Sequence, residues 1–265
     1  MAERAEVVFV DGVRTPFGRA GEKGMFWNTR ADDLVVKAMI GLLERNPQIP
    51  QDRYDDVAIA ATTQQGDQGL TLGRTAALLA GLPKSVPGYA IDRMCAGAMT
   101  SVTTIAGAIA FGAYDIGIAG GVEHMGRHPM GFGADPNPRF LAEKLVSADA
   151  LNMGNTAERI HDRFPQLTKE RADRFALASQ QKAAAAYDNG KIQPDLIPVA
   201  IRSEAGWGLA TRDEALRPET TMEGLAGLRR PSARTVASPR ATRPASTMAR
   251  QQASSPARMP PRSSA

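Results

Sequence analysis

The chain changes character after Leu228. Residues 229–265 hold eight Arg, eight Ala, seven Ser and six Pro, with no Asp, Glu or Lys, and Val236 is their one β-branched aliphatic residue. Such a segment cannot bury enough apolar surface to offset the cost of ordering it, so a disordered basic tail is expected. Whatever folds must therefore fold within residues 1–228. The eight tail arginines also account for the excess of 32 basic over 28 acidic residues. Without them the chain is slightly acidic, so its basic character is no argument for a nucleic-acid-binding surface, and no specific nucleic-acid partner is expected.

Residues 1–228 alternate between short β-branched runs and helical periodicity. Glu6–Val10 predicts a strand ended by Asp11-Gly12. Thr29 predicts a helix N-cap, with Asp32 in the first turn and Leu34, Val35, Ala38, Met39, Leu42 and Leu43 at helical spacing. Val57–Ala61 reads as a second strand and Leu72–Leu82 as a helix stopped by Pro83. Tyr89–Ile91 reads as a third strand, Cys95–Phe111 as a helix and Ile116–Ala119 as a fourth strand. Strand–helix alternation indicates an α/β layer with helices against a sheet. Cys95–Tyr114 is free of charge and of membrane-spanning length. Its small residues and flanking strands favour a buried central helix, so no membrane partner is expected.

After Gly120-Gly121 the pattern changes. Residues 122–152 are rich in Met, Gly, Pro and His without periodicity. Helices return at Thr156–Phe164 and from Thr168 to Tyr187, the latter ended by Asp188-Asn189-Gly190 with Gly190 in a left-handed cap. Leu196–Ile201 predicts a further strand. The expected organisation is an α/β core over 1–121, a mostly helical insertion over 122–228 and the basic tail over 229–265. One cysteine excludes an intrachain disulfide, and Met1-Ala-Glu-Arg-Ala-Glu-Val lacks a signal-peptide apolar core. The expected location is the cytoplasm.

Cys95 is the residue with chemical promise. It lies between the Tyr89–Ile91 strand and a long apolar helix, where free backbone N–H groups and the helix dipole favour negative charge on sulfur. Gly97, Ala96 and Ala98 would let a substrate or a neighbouring chain come close. Two readings stand side by side: a covalent nucleophile that takes an acyl group, and an inert buried cysteine. His124, His128 and His161 are the available bases, and loop or surface histidines are more often solvated than catalytic.

Four ordered motifs carry a resemblance. Val10-Asp11-Gly12-Val13-Arg14-Thr15-Pro16-Phe17-Gly18 is similar to the opening strand end and turn of thiolases, the acetyl-CoA acyltransferases. Asp92-Arg93-Met94-Cys95-Ala96-Gly97-Ala98 resembles their nucleophile segment, and Ala119-Gly120-Gly121-Val122-Glu123-His124-Met125 the segment after the following strand. Met153-Gly154-Asn155-Thr156-Ala157-Glu158 resembles the motif of their loop domain. That last motif separates thiolases from ketoacyl synthases, which share the fold. Asp92 stands where the family commonly has Asn, Gly97 where it has Ser or Thr, and Asn152 where the biosynthetic members have His.

The resemblance implies an α/β, thiolase-like fold: an incomplete N-terminal βαβαβαβ half plus a loop-domain insertion. It implies acyl transfer between 3-ketoacyl-CoA and CoA in fatty-acid β-oxidation, with acyl-CoA and CoA as partners and a homodimer or tetramer when complete. Coenzyme A enters as substrate; no cofactor and no metal are implied. Cys95 becomes the acyl acceptor and Met153 a substrate-binding residue. The family's activating histidine, and the second cysteine that moves the α-carbon proton, lie in downstream segments with no counterpart here. The chain itself is thus expected to be inactive, a non-catalytic fragment able at most to bind CoA or dimerise.

The tail offers a reason. Arg234–Arg250 can be encoded by GC-rich codons that, read from the third base of the Arg234 codon, spell His-Gly-Arg-Val-Thr-Ala-Gly-Asn-Ala-Ser-Gly-Leu-Asn-Asp-Gly-Ala. Third bases are free in this construction, but the code fixes most first and second bases. The spelled segment resembles the thiolase continuation, so residues 229–265 are expected to be a frameshift product with its break between about Leu228 and Arg230.

Overall fold

The computed structural model describes residues 6–228 except Ala205; the expected disorder of residues 229–265 lies outside the described residues. The described chain runs α1 (Ala31–Arg45), β1 (Asp56–Ala60), α2 (Leu72–Leu79), β2 (Tyr89–Ile91), α3 (Gly97–Phe111) and β3 (Gly117–Gly121). It continues through α4 (Arg139–Ala142), α5 (Met153–Arg163), α6 (Lys169–Asp188), β4 (Val199–Ser203), β5 (Gly206–Ala210) and α7 (Met222–Ala226).

The first three strands form a parallel sheet in the order β2–β1–β3, with Ala58 opposite both Tyr89 and Ala119. Every residue of β1 is buried, as a central strand covered on both faces requires. Its side chains divide by the two-residue period of a strand. Val57 and Ile59 join Val35 and Met39 of α1 and Leu72, Ala76 and Ala77 of α2 in the main core. Ala58 and Ala60 face the other way, and their small size lets α3 settle closely on that face. Gly73 serves α2 likewise: a Cβ there would meet the carbonyl oxygens of Val57 and Tyr89 at 2.3 Å.

Several expectations need correction. Glu6–Val10 is not a strand among the described residues; Val8, Phe9 and Val10 are 65–85 % exposed. A β-branched run makes a strand only where a neighbour completes its hydrogen bonds, and Arg14 makes only an isolated bridge to Leu196. The N-cap of α1 is Arg30 rather than Thr29, and no side chain caps it locally. Asp67, 36 residues on, accepts the Ala31 N–H instead (3.2 Å). α2 ends at Leu79, before Pro83, because the backbone turns through left-handed Gly81. β3 begins one residue late, and α5 begins at Met153 because Asn152 accepts the Gly154 and Asn155 N–H groups (2.9 and 3.2 Å). The strand expected at Leu196–Ile201 is β4, paired antiparallel with β5, which the sequence pattern did not reveal.

Two compact units emerge. Among the described residues, one comprises 6–136 and 175–220 and the other 137–174 and 221–228. This division cuts the chain elsewhere than the expected 121/122 boundary. Within the first unit, Val199 and Ala210 of the β4–β5 hairpin pack on Phe26 and Leu34, and the Asp213 carboxylate accepts two bonds from Arg14 (2.7 and 2.9 Å). These long-range contacts return residues 175–220 to the α/β core. In the second unit, Lys169 pairs with Asp173 (2.5 Å) and donates to the Leu225 carbonyl (2.8 Å).

Candidate active site

Parallel strands end on one edge of their sheet, and in open α/β folds that carboxyl edge is where ligands bind. Cys95 follows β2 there, the Thr62–Gln68 segment follows β1, and Glu123 and His124 follow β3. Cys95 is exposed. It lies in a one-turn 3₁₀ segment, Met94–Ala96, just before α3, not in the first turn of the long helix. Met94 has φ +48°, and the Asp92 carboxylate accepts its N–H (3.0 Å), so this Asp closes the turn that presents the cysteine. Gly97 does not open space for a substrate. A Cβ there would stand 2.7 Å from the Ala60 Cβ, so its smallness serves the packing of α3 on β1.

The helix itself departs from expectation. α3 is not buried on all sides: Gly97, Ser101 and Ile105 are buried, while Met99, Val102 and Phe111 are exposed. Among the described residues, Met94–Phe111 is the segment long and apolar enough to cross a membrane by length and composition. Its α-helical part has 15 residues, which at 1.5 Å each is about 22 Å, short of a ~30 Å hydrocarbon layer.

A polar lock centred on buried Gln68 joins the ends of β1 and β3. Gln68 is fully buried. Its amide donates to the Thr63 carbonyl (2.9 Å) and to Glu123 Oε1 (3.0 Å), and its Oε1 accepts the His124 N–H (2.6 Å). Glu123 Oε2 accepts the Thr62 N–H (2.7 Å). Beside it, Asp67 is paired with Arg127 (2.9 Å) and with His128. Burial raises the Asp67 pKa, but His128, the Ala31 N–H and Arg127 together outweigh it and hold the carboxyl below its usual value. The sequence reading missed Gln68 and Asp67. Their one signal was a polar Gln-Gln-Gly-Asp-Gln run between the apolar stretch 57–61 and the next helix.

The histidines are placed differently from what a solvated loop predicts. His124 and His128 are buried, at 8 % and 7 % exposure. His124 Nε2 donates to the Phe26 carbonyl (2.8 Å) and Nδ1 accepts the Arg127 N–H (3.2 Å), which fixes the Nε2–H tautomer and uses both nitrogens. His128 Nε2 is engaged by Asp67, and its Nδ1 is buried without a partner. His161 belongs to the second unit, where its Nδ1 donates to the Leu167 carbonyl. β2 and β3 flank β1, so the turns carrying Cys95 and His124 start two strand spacings apart, roughly 10 Å. Both nitrogens of His124 are thus committed, whereas His128 keeps one buried nitrogen, Nδ1, without a partner. Met153, the first residue of α5, is 76 % exposed and belongs to the second unit. No group of three or more His, Cys, Asp or Glu among the described residues is arranged to hold a metal ion.

The family profile described as "Thiolase, N-terminal domain" matches residues 7–235. The chain belongs to the thiolase family. The 3-ketoacyl-CoA thiolase of Aliivibrio fischeri is 41 % identical over 224 residues, covering 84 % of this chain and 57 % of that protein. The β-ketoadipyl-CoA thiolase of Pseudomonas putida is 38 % identical over 239 residues, covering 84 % and 59 %. The crystal structure of the Bacillus anthracis acetyl-CoA acetyltransferase superposes with a TM-score of 0.68 at 29 % identity, covering 82 % of this chain and 56 % of that one. The fold is thus a partial α/β thiolase domain. This thiolase chain spans somewhat over half the length of the relatives it matches.

Proposed function

We propose that this chain is the front portion of a thiolase-type acyltransferase that moves an acyl group between 3-ketoacyl-CoA and CoA in fatty-acid β-oxidation, in the cytoplasm. The observation that carries the reading is the exposed Cys95, presented by a turn at the carboxyl edge of a parallel sheet. In this reading the Cys95 thiolate attacks the C3 carbonyl of a 3-ketoacyl-CoA. The C2–C3 bond breaks, and the two-carbon piece takes a proton and leaves as acetyl-CoA. The sulfur of an incoming CoA then attacks the Cys95 thioester, and the enzyme thiol is released. CoA is a substrate, no further cofactor is invoked, and Met153 contributes to substrate binding.

The 265-residue polypeptide itself does not turn over in this reading. Both nitrogens of His124 are committed, the unpartnered Nδ1 of His128 is buried, and Cys95 is the chain's one cysteine, so no second thiol is supplied for the α-carbon proton and neither of these histidines is offered as the activating base. Groups that act as a unit are non-additive, so their loss removes most of the rate. The frame break between about Leu228 and Arg230 belongs to the same proposal.

Sequencing the DNA across codons 226–232, and assaying thiolysis of a ketoacyl-CoA by the frame-restored protein, test it. Activity on restoration, abolished by Cys95→Ser, is the expected result. An absent thiolase frame downstream, or equal turnover by the 265-residue chain, overturns it.

A further inference from the structure

Cys95 stands between two fixed points of backbone. Downstream, Gly97 presses on Ala60, and the Gly97 N–H donates to the Met94 carbonyl. Upstream, β2 ends at Ile91, whose carbonyl accepts the Ala61 N–H (3.1 Å). The change of direction between them falls on Arg93 (φ −148°, ψ 42°) and on Met94 (φ +48°). A residue with a Cβ keeps that left-handed conformation only where a contact holds it. Packing does not hold Met94, whose side chain is 70 % exposed. Its N–H donates to Asp92 Oδ1 (3.0 Å), and Asp92 Oδ2 makes no hydrogen bond or ion pair among the described residues.

A carboxylate three residues before a nucleophilic thiol admits two roles. It shapes the turn as an acceptor, or it takes the proton of the thiol as a base. We propose that Asp92 is a positioning residue: it acts on Cys95 through left-handed Met94 as a hydrogen-bond acceptor, and neither its charge nor its basicity is used. The bond from a short acidic or amide side chain to the N–H two residues on is a turn that Asp and Asn make alike, because each offers a carbonyl-type oxygen at the same reach. That bond orients the carboxylate by the backbone rather than by the thiol. With Gly97 fixed on Ala60, freeing Met94 lets Cys95 swing from one end only, so the turn loses its aim while α3 stays in place. The inference rests on the acyl-transfer reading of Cys95.

Three substitutions separate the two roles. Asp92→Asn keeps the acceptor and removes charge and basicity. Asp92→Glu keeps charge and basicity but displaces the acceptor by one methylene, and Asp92→Ala removes all three. Cys95 is the chain's one thiol, so a methanethiosulfonate nitroxide on the full 265-residue chain reports on this turn. Electron paramagnetic resonance should give Asp92→Asn the ordered line shape of the parent, and Asp92→Ala and Asp92→Glu the narrower lines of a mobile label. In the frame-restored protein, thiolysis of a ketoacyl-CoA should keep the parent kcat in Asp92→Asn. In Asp92→Ala and Asp92→Glu kcat should fall about ten- to a hundredfold, the cost of misplacing a reacting group by about 1 Å, with KM little changed. An Asp92→Asn protein with the parent line shape and no turnover assigns Asp92 as the base and overturns the proposal. So does either of the other variants with the parent line shape and kcat. Thiolysis that survives Cys95→Ser sinks the acyl-transfer reading itself, whereas a Cys95-dependent enzyme indifferent to Asp92→Ala sinks the positioning role alone.

Discussion

Gly97 lies so close over Ala60 that a Cβ on Gly97 would stand 2.7 Å from the Ala60 Cβ. This contact holds α3 on β1 and thereby sets where the preceding Cys95 turn stands. Gly97→Ser should overpack the contact and lower stability by about 1–3 kcal/mol in urea unfolding. Ala60→Gly in the same chain should restore part of the loss. Strictly additive effects in the double-mutant cycle would show that the two residues do not press on each other.

Cys95 is the chain's single thiol and is exposed. Native protein should release one equivalent of chromophore from Ellman's reagent without denaturant. A thiol that reacts only after urea is added would contradict its placement.

The segment after β5 is tied to the N-terminal turn by Asp213. Burial raises the Asp213 pKa, but Arg14, the Phe17 N–H and the Tyr187 hydroxyl outweigh it and hold the carboxyl below its ordinary 3.8. A depressed folded-state pKa gives stability that is fully present above the unfolded value and lost as pH falls through the folded one. Unfolding free energy should therefore drop below about pH 4 more steeply in the parent than in Asp213→Asn. Parallel pH profiles for the two would remove the linkage.

Tyr114 donates to Asp56 Oδ2 (2.7 Å), and this bond to a carboxylate, with minor burial and nearby negative charge, pushes its phenol up to about 12. The folded value lies above the unfolded one, so the contribution is complete below pH 10 and fades as pH rises through 12. Ultraviolet titration should show a tyrosine that ionises late and vanishes in Tyr114→Phe. A late step unchanged by that substitution would assign it to Tyr54 or Tyr89, both also raised.

Asn152 caps α5 through two backbone N–H groups. Asn152→Ala should cost about 1 kcal/mol and speed hydrogen exchange in the first turn of α5, whereas Asn152→Asp should keep the protection. Equal exchange in all three proteins would deny the cap.

The sequence by itself determined the local features. Tyr89–Ile91 is β2 residue for residue, Gly190 takes the left-handed conformation that ends α6, and Cys95 falls between a strand and a long helix. Side-chain period and turn chemistry act over a few residues, so they are written where they act. Tertiary structure alone decided the rest. Glu6–Val10 has strand composition but no neighbour to pair with. Gly206–Ala210 has little of that composition and pairs with β4 all the same. His124 and His128 lie in loop sequence yet are buried, because the Phe26 carbonyl, 98 positions before His124, and Asp67, 61 before His128, each engage a ring nitrogen. α3 is free of charge all round, but the sheet covers one face only. Pairing and burial depend on partners far along the chain, and a short window of sequence carries no record of which partners arrive.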